Sequence, residues 1–185
     1  MEEVVVQLDH FQCGLNFPLS KFLLEVLKFY RIQLIHLTPN SVLFLAIVVH
    51  LCEAFLGTMP NLALLRYFFI LKKTLKNKLL VACSYCLQLR NKKLKEYIDV
   101  PLCDSCGSPS AWSAITGRGP TELKFRNVAA APFEFWGTTP EAGDYLSVMT
   151  AAIADLKSRG LIGVHVVGDF IRRRLSSLKA RKDPA

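Results

Sequence analysis

Four cysteines form the clearest pattern for site chemistry in this sequence. Cys83 and Cys86 make one Cys-x-x-Cys pair, and Cys103 and Cys106 make a second pair after sixteen intervening residues. Four thiolates complete the tetrahedral shell of a structural zinc ion, and each Cys-x-x-Cys turn aims two sulfur atoms at one ion. This spacing is that of a zinc ribbon, so one interpretation is a zinc-binding module. The other interpretation, which we favour, is four unpaired thiols on or near a hairpin in a protein without a cofactor.

Positive charge is the second pattern, and it is unevenly distributed. The chain contains 23 lysines and arginines against 15 aspartates and glutamates, which gives a formal net charge of +8. One basic run lies between residues 72 and 95, and another is the tail RRRLSSLKARK. Such runs suit the phosphates of nucleic acid or an anionic membrane surface, although solvated helix ends look the same in sequence. The candidate nucleic-acid-binding residues are Arg172, Arg173, Arg174, Lys179, Arg181 and Lys182.

The remaining polar residues indicate no catalytic centre. His50, Cys52 and Glu53 share an apolar helix, where a core histidine and a buried thiol are more common than metal ligands. Glu53 has no obvious carboxylate partner near it, so we assign no acid–base pair. The GRGPT string at residues 117–121 lacks the Gly-Lys-Ser/Thr ending of a phosphate-binding loop. We therefore predict that the protein is not an enzyme.

The N-terminus and the cysteine content bear on the cellular compartment. The first residues, MEEVVVQLDHF, are acidic where a secretion signal needs a basic segment followed by a long apolar one. Six cysteines in a chain without such a signal are interpreted as thiols or metal ligands rather than as disulfides. We expect an intracellular protein that is not secreted, and the nucleus is one candidate location.

The N-terminal part of the chain is typical of three helices. PLSKFLLEVLKFYR has apolar residues at helical spacing. SVLFLAIVVHLCEAFLG follows, with Ser41 as its predicted cap and Gly57 as its left-handed end. NLALLRYFFILKKTLKNK carries lysines toward its C-terminal end, where the helix dipole favours cations. Residues 41–57 are also the candidate membrane segment, but a span needs about 20 apolar residues with few charges, so we favour a buried core helix.

The second half of the chain changes character. CLQLR and EYIDVPL, on either side of NKKLK, predict a short β-hairpin. Five of the ten glycines fall between Gly107 and Gly143, which is typical of a loop-rich linker. DYLSVMTAAIADLKSRG then has helix start and stop signals in the right order. The last predicted helix places one apolar face at Val164, Val167, Ile171, Leu175 and Leu178.

Two long blocks resemble a known family. The run LIHLTPNSVLFLAIVVHLCEAFLGTMPNLALLRYFF, residues 34–69, strongly resembles the N-terminal region of the plant gypsy-type transposon (transposase-like, gypsy type) domain family. IADLKSRGLIGVHVVGDFIRRRLSSLKAR, residues 153–181, is similar to the family's downstream region. LQLRNKKLKEYIDVPLCDS, between the two blocks, is similar to the family's strand-like middle. The resemblance implies a repeat-element origin and brings no catalytic residues and no established activity.

The centre of the chain departs from that family pattern. After Ser105 the family continues into a tryptophan-rich segment, whereas Trp112 stands alone in this stretch of the chain. One hypothesis is therefore that the centre comes from a degenerate or misread copy. An RNA read across codons 100 to 130 that matched this frame throughout would contradict that hypothesis.

The predicted fold is mainly α with a small β-hairpin, and it divides into four parts. We expect a helical transposon-like module at residues 1–78, a hairpin with two Cys-x-x-Cys pairs at 79–106, a loop-rich linker at 107–143 and a basic helical hairpin at 144–185. The expected function is that of a non-catalytic, retroelement-derived protein that contacts nucleic acid by its phosphates or contacts protein partners. The alternatives are a zinc-ribbon binding module and a membrane-associated protein that uses the 41–57 helix.

Overall fold

The computed structural model of the protein describes residues 4–7, 10–11, 13–15, 19–73, 85–90, 93, 96–98, 112–115, 134–141 and 143–176. In these ranges the helices are α1 (Lys21–Tyr30), α2 (Pro39–His50), α3 (Leu62–Phe68), α4 (Asp144–Ser158) and α5 (Gly163–Phe170). The strands are β1 (Val4–Gln7), β2 (Phe69–Lys73), β3 (Tyr85–Leu89) and β4 (Trp112–Ile115). The predicted fold class, mainly α with a small antiparallel strand pair and a C-terminal helical pair, is confirmed. The four predicted domain boundaries stay predictions.

Helices α1 and α2 both begin at a hydroxyl cap. Ser20 Oγ accepts a hydrogen bond from the backbone N–H of Leu23 at 3.2 Å, and Thr38 Oγ1 accepts one from the N–H of Ser41 at 3.3 Å. Such bonds satisfy first-turn donors that have no partner within the helix. The prediction that Ser41 caps α2 is therefore wrong by three residues, because Pro39 follows the cap and its fixed φ favours the first turn.

Helix α2 lies in the core, as favoured from the sequence over a membrane segment. Its buried side chains point in several directions around the axis, because almost every position of the helix is apolar. The helix continues as a π-helical turn over Leu51–Phe55, and Gly57 then adopts the predicted left-handed conformation with φ +63°. Among the described residues, no helix combines the length and the apolar character needed to cross a bilayer.

The third predicted helix is shorter than expected and gives way to a strand. Helix α3 ends at Phe68, and the chain continues as β2, which pairs antiparallel with β3 in a register that joins Phe69 to Leu89 and Lys73 to Tyr85. Phe69 and Leu71 are buried on one side of β2, so the apolar residues follow the two-residue period of a strand. Phe69 and Ile70 suit a strand, and pairing with β3 decides against a longer helix.

The predicted partner of the CLQLR strand is also wrong. EYIDVPL was expected to complete the hairpin, but β3 pairs with β2, and the described residues of that segment form a turn in which Tyr97 and Ile98 are buried. Tyr97 packs against Phe68 and Phe69, with ring centroids 4.8 and 5.1 Å away. Tyr97 and Ile98 therefore lie in the core and not in the strand pair.

The predicted loop-rich linker contains ordered elements. Strand β4 pairs antiparallel with β1, from Val4 opposite Ile115 to Gln7 opposite Trp112. A 3₁₀ turn follows at Glu134–Trp136. Trp136 is buried and lies edge-on to Tyr30 and Tyr85, with centroid distances of 5.4 and 5.1 Å. The bounds of the predicted linker stay a prediction.

The C-terminal helices pack against the N-terminal ones in a single core. Ile153 of α4 and Val166 and Phe170 of α5 are buried in the same cluster as the residues of α2. Gly14 allows a close approach of the two parts, because a Cβ atom at this position would lie 2.9 Å from Cζ of Phe170. Its φ of +93° is also a conformation that favours glycine.

Helix α5 and its π-helical continuation bury the predicted face in part, because Val167 and Leu175 are partly buried and pack against the core. Gly163, Val166, Asp169 and Phe170 are its buried residues, whereas Val164 and Ile171 of the predicted face are 57% and 44% exposed. The reason is that Phe170 and the ion-paired Asp169 enter the contact with α2, which rotates the stripe at Val164 toward solvent. The structure does not indicate which molecule would cover Val164 and Ile171, so binding to a protein partner stays a prediction.

Candidate nucleic-acid interface

The arginine triplet, Arg172, Arg173 and Arg174, lies in a π-helical turn that continues α5 over Ile171–Leu175. The three side chains are 75%, 64% and 55% exposed. The structure thus places consecutive predicted site residues on the surface. Lys179, Arg181 and Lys182, the other predicted members, lie outside the described residues.

A carboxylate at the base of the triplet binds two of these arginines. Asp169 Oδ1 accepts a hydrogen bond from Nη2 of Arg172. Nε of Arg173 lies 3.0 Å from Oδ1 and 2.9 Å from Oδ2 of the same carboxylate. The side chain of Asp169 is only 10% exposed, so its charge is largely buried. The two arginines lie between this charge and solvent.

A histidine from α2 contacts the other side of Asp169. His50 Nε2 lies 3.0 Å from Asp169 Oδ2, and since a carboxylate only accepts hydrogen bonds, Nε2 carries the proton. The rings of Phe55 and Phe170 lie 5.9 and 5.8 Å from the His50 ring and form apolar walls around it. The buried pair therefore joins α2 to α5 across 119 residues of sequence.

These donors keep Asp169 ionised. The guanidinium of Arg172 has the largest effect, and Arg173 and His50 add to it, so that the pKa of the Asp169 carboxyl falls to about 2. Partial burial acts in the opposite direction, because desolvation disfavours a charged carboxylate. The hydrogen bonds outweigh it.

A second carboxylate reaches the third arginine. Glu53, in the π turn that ends α2, accepts a hydrogen bond from Nη2 of Arg174 at 2.6 Å. The Glu53 side chain is 35% exposed, so this contact lies at the rim of the interface. Three guanidinium groups are thus paired with two carboxylates, which leaves one positive charge in excess. The exposed arginine side chains carry this excess at the surface.

Two cations of the other predicted basic run, Arg90 and Lys93, have structural contacts, whereas Lys72 is exposed. Arg66 and Arg90 both donate hydrogen bonds to the carbonyl oxygen of Thr138, at 3.3 and 3.2 Å. Lys93 donates to Glu96 and to the hydroxyl of Tyr67. Arg66, Arg90 and Lys93 thus form contacts that hold neighbouring segments together. The arginine triplet is therefore the stronger candidate for binding a phosphate.

The zinc prediction stays untested. Cys86 lies on β3 with its Sγ 3.6 Å from the carbonyl oxygen of Leu87, whereas Cys83, Cys103 and Cys106 lie outside the described residues. Among the described residues, no group of three or more histidine, cysteine, aspartate or glutamate side chains could hold a metal ion.

Cys52 of the apolar helix is a buried core residue. Burial raises the pKa of the Cys52 thiol to about 11, and the nearby Glu53 charge adds to the effect. A thiol that stays protonated at neutral pH is a poor nucleophile. His10, from the N-terminal segment, is also buried, and its Nε2 lies 3.0 Å from the carbonyl oxygen of Leu37.

Comparison with known proteins identifies one part of the chain. Residues 4–73 match the family model described as "Putative gypsy type transposon". The match runs from β1 to β2 and confirms the resemblance drawn from the first sequence block. It covers less than half of the 185 residues, so the likeness of residues 87–105 and 153–181, and the plant origin, stay predictions. No curated protein and no solved structure matches the chain.

Sequence reasoning missed the two acidic partners of the triplet. Asp169 precedes Arg172 and Arg173 by three and four residues, a spacing at which helical side chains meet, so the sequence did carry this signal. Glu53 lies 121 residues from Arg174, and only the packing of α2 against α5 brings them together.

Proposed function

We propose that the protein is a non-catalytic chain of gypsy-type transposon origin that binds nucleic acid through its phosphates without reading sequence. The observation that carries this proposal is the exposed arginine triplet at the end of α5. Arg172 and Arg173 meet at Asp169, and Arg174 pairs with Glu53, so the three guanidinium groups form one exposed basic cluster at the end of α5. Such a cluster suits a phosphate backbone, since contacts to phosphate position a protein but do not distinguish bases.

The overall charge supports the same proposal. A formal net charge of +8 attracts polyanions over distances beyond direct contact, and that attraction weakens as salt screens it. Guanidinium groups also match phosphate in geometry, because two parallel N–H donors can meet two oxygen atoms.

The test is the affinity of the full chain for fluorescently labelled duplexes of unrelated sequence, measured by anisotropy. We expect similar affinities for all sequences and a loss of at least tenfold at low salt for the triple variant R172A/R173A/R174A, because it lacks the phosphate contacts of the triplet. A triple change of the same arginines to lysine should keep most of the binding, since charge carries it.

The matched control is K21A/K28A/K72A, which removes three exposed cations from α1 and β2. It has the same charge change as the alanine variant of the triplet, so it reports the effect of net charge alone. Circular dichroism of each variant checks that the fold is retained. Equal losses in the two variants, or no loss from the triplet, would contradict the proposal.

The cysteine spacing supports a second candidate, a zinc-ribbon binding module. Its test is the zinc-to-protein ratio of the purified chain beside a variant with Cys83 and Cys103 changed to serine. A ratio near one that the variant loses would support the ribbon, and metal-free protein with an unchanged circular dichroism spectrum after chelation would contradict it.

A further inference from the structure

The two carboxylates that meet the arginine triplet are held very differently. The Asp169 side chain is 10% exposed and contacts three donors, from His50, Arg172 and Arg173. The Glu53 side chain is 35% exposed, and its ion-pair partner is Arg174, whose side chain is itself 55% exposed. Asp169 is thus part of the core contact, whereas Glu53 lies where solvent and a ligand can reach it.

A carboxylate on a guanidinium occupies the position that a phosphate would take. Both groups present oxygen atoms to the same fork of N–H donors. The Glu53–Arg174 contact, at 2.6 Å, therefore covers donors that the proposed nucleic-acid surface needs. An exposed ion pair contributes little to stability, so a phosphate can replace Glu53 without disturbing the fold.

We propose that Glu53 competes with nucleic-acid phosphate for Arg174 and so acts as an autoinhibitory residue of the triplet. This inference rests on the proposed function. Asp169 has the opposite role: it positions Arg172 and Arg173, whose exposed sides stay available to phosphate. To bind phosphate, Arg174 must leave Glu53. Arg172 and Arg173 can bind phosphate while they stay paired with Asp169.

The backbone at both residues fits such a role. Glu53 lies in the π turn Leu51–Phe55, and Arg174 lies in the π turn Ile171–Leu175. Both turns come directly after the residues that join α2 to α5, His50 on one helix and Asp169 with Phe170 on the other. The joined helices therefore present the two turns side by side.

The experiment uses the full chain with the change Glu53→Gln, which keeps the size of the side chain and removes its charge. Binding to a labelled duplex is measured by anisotropy between 50 and 300 mM salt. We expect binding about fivefold tighter or more near 0.1 M salt, and a plot of log K against log salt that is steeper by about one, because Arg174 gains a phosphate. In the background R174A, the change Glu53→Gln should lose this effect.

The matched control is Asp155→Asn. Asp155 pairs with Arg159 on α4 at 2.6 Å, and the side chains of Arg159 and Asp155 are 72% and 52% exposed, so this change also frees an arginine from an exposed pair. Equal gains in the two variants would overturn the inference, because they would reflect net charge alone. An unchanged or weaker affinity of Glu53→Gln would also overturn it.

The outcomes separate this inference from the proposed function. If the triple alanine variant loses binding while Glu53→Gln behaves like Asp155→Asn, the proposed function stands and the inference fails. If the triple variant binds as well as the unchanged protein, the proposed function fails, and the inference fails with it.

Discussion

The two ends of helix α2 are fastened to the rest of the molecule by opposite kinds of polar contact. At the N-terminal end, Ser41 Oγ accepts a hydrogen bond from the N–H of Leu87 at 2.8 Å and lies 2.8 Å from Oγ1 of Thr38. These groups are neutral, buried and tied to strand β3. At the C-terminal end, His50 and Glu53 meet Asp169 and Arg174 of the α5 segment through charged contacts that reach the surface.

The difference indicates that the two ends of α2 have different roles. A buried hydroxyl network responds to neither salt nor moderate pH, so it fixes the position of α2 against the β2–β3 pair. Charged contacts at a partly exposed interface respond to both. The C-terminal end is therefore the place where a polyanionic ligand can act on the structure.

The largest loss of stability should come from Phe170, an apolar residue that packs at the C-terminal end of α2. Phe170 is 3% exposed, and its ring lies against His50 and the Gly14 backbone. Phe170→Ala should lower the free energy of unfolding by about 3–5 kcal/mol, because it leaves a cavity between α2 and α5. Urea denaturation followed by circular dichroism measures this loss.

Ile171→Ala, the next residue along, is the control for that prediction. Ile171 is 44% exposed, so its loss should change the free energy of unfolding by less than about 0.5 kcal/mol. Similar effects of the two substitutions would show that the charged contacts alone hold α5 in place.

A smaller effect is expected at the neutral end. Ser41→Ala removes the acceptor of the buried Leu87 N–H and should lower the free energy of unfolding by about 1–3 kcal/mol. The loss should be equal at pH 7 and pH 3, because no titratable group takes part. Ser147→Ala on the exposed side of α4 is the control. A loss that shrank in acid would contradict the division between the two ends.

The smallest effect, and the one that depends on pH, belongs to Asp169. Its pKa is about 2 in the folded chain and about 3.9 in an unfolded one, so its contribution is present above about pH 4 and is lost as the pH falls toward 2. Asp169→Asn should therefore be less stable than the unchanged protein at pH 7 and converge with it near pH 2. Urea midpoints at several pH values test this, and a constant difference would contradict it.

Local signals in the sequence predicted much of the fold. The helical spacing of α1 and α4, and the left-handed glycine at position 57, depend on neighbouring residues only. The end of α3 was missed because YFFILKK suits a helix as well as a strand, and the choice depends on pairing with β3. The buried face of α5 was predicted only in part for the same reason, since contact with α2 selects it.

The candidate site was predicted in part. The arginine triplet is visible as a run of charge, and the structure places it on the surface. Its contacts with His50 and Glu53 cross more than a hundred residues and follow from no local pattern. The sequence therefore indicated which residues carry charge, and the packing determined which of those charges are already paired.

The salt dependence of nucleic-acid binding tests the central claim most directly. Log K for a labelled duplex is measured against log salt for the unchanged chain and for R172A/R173A/R174A. Each phosphate contact contributes about 0.9 to the slope, so the account predicts a triple variant whose slope is shallower by about two to three. Identical slopes for the two proteins would contradict it, because binding would then take place away from the arginine triplet.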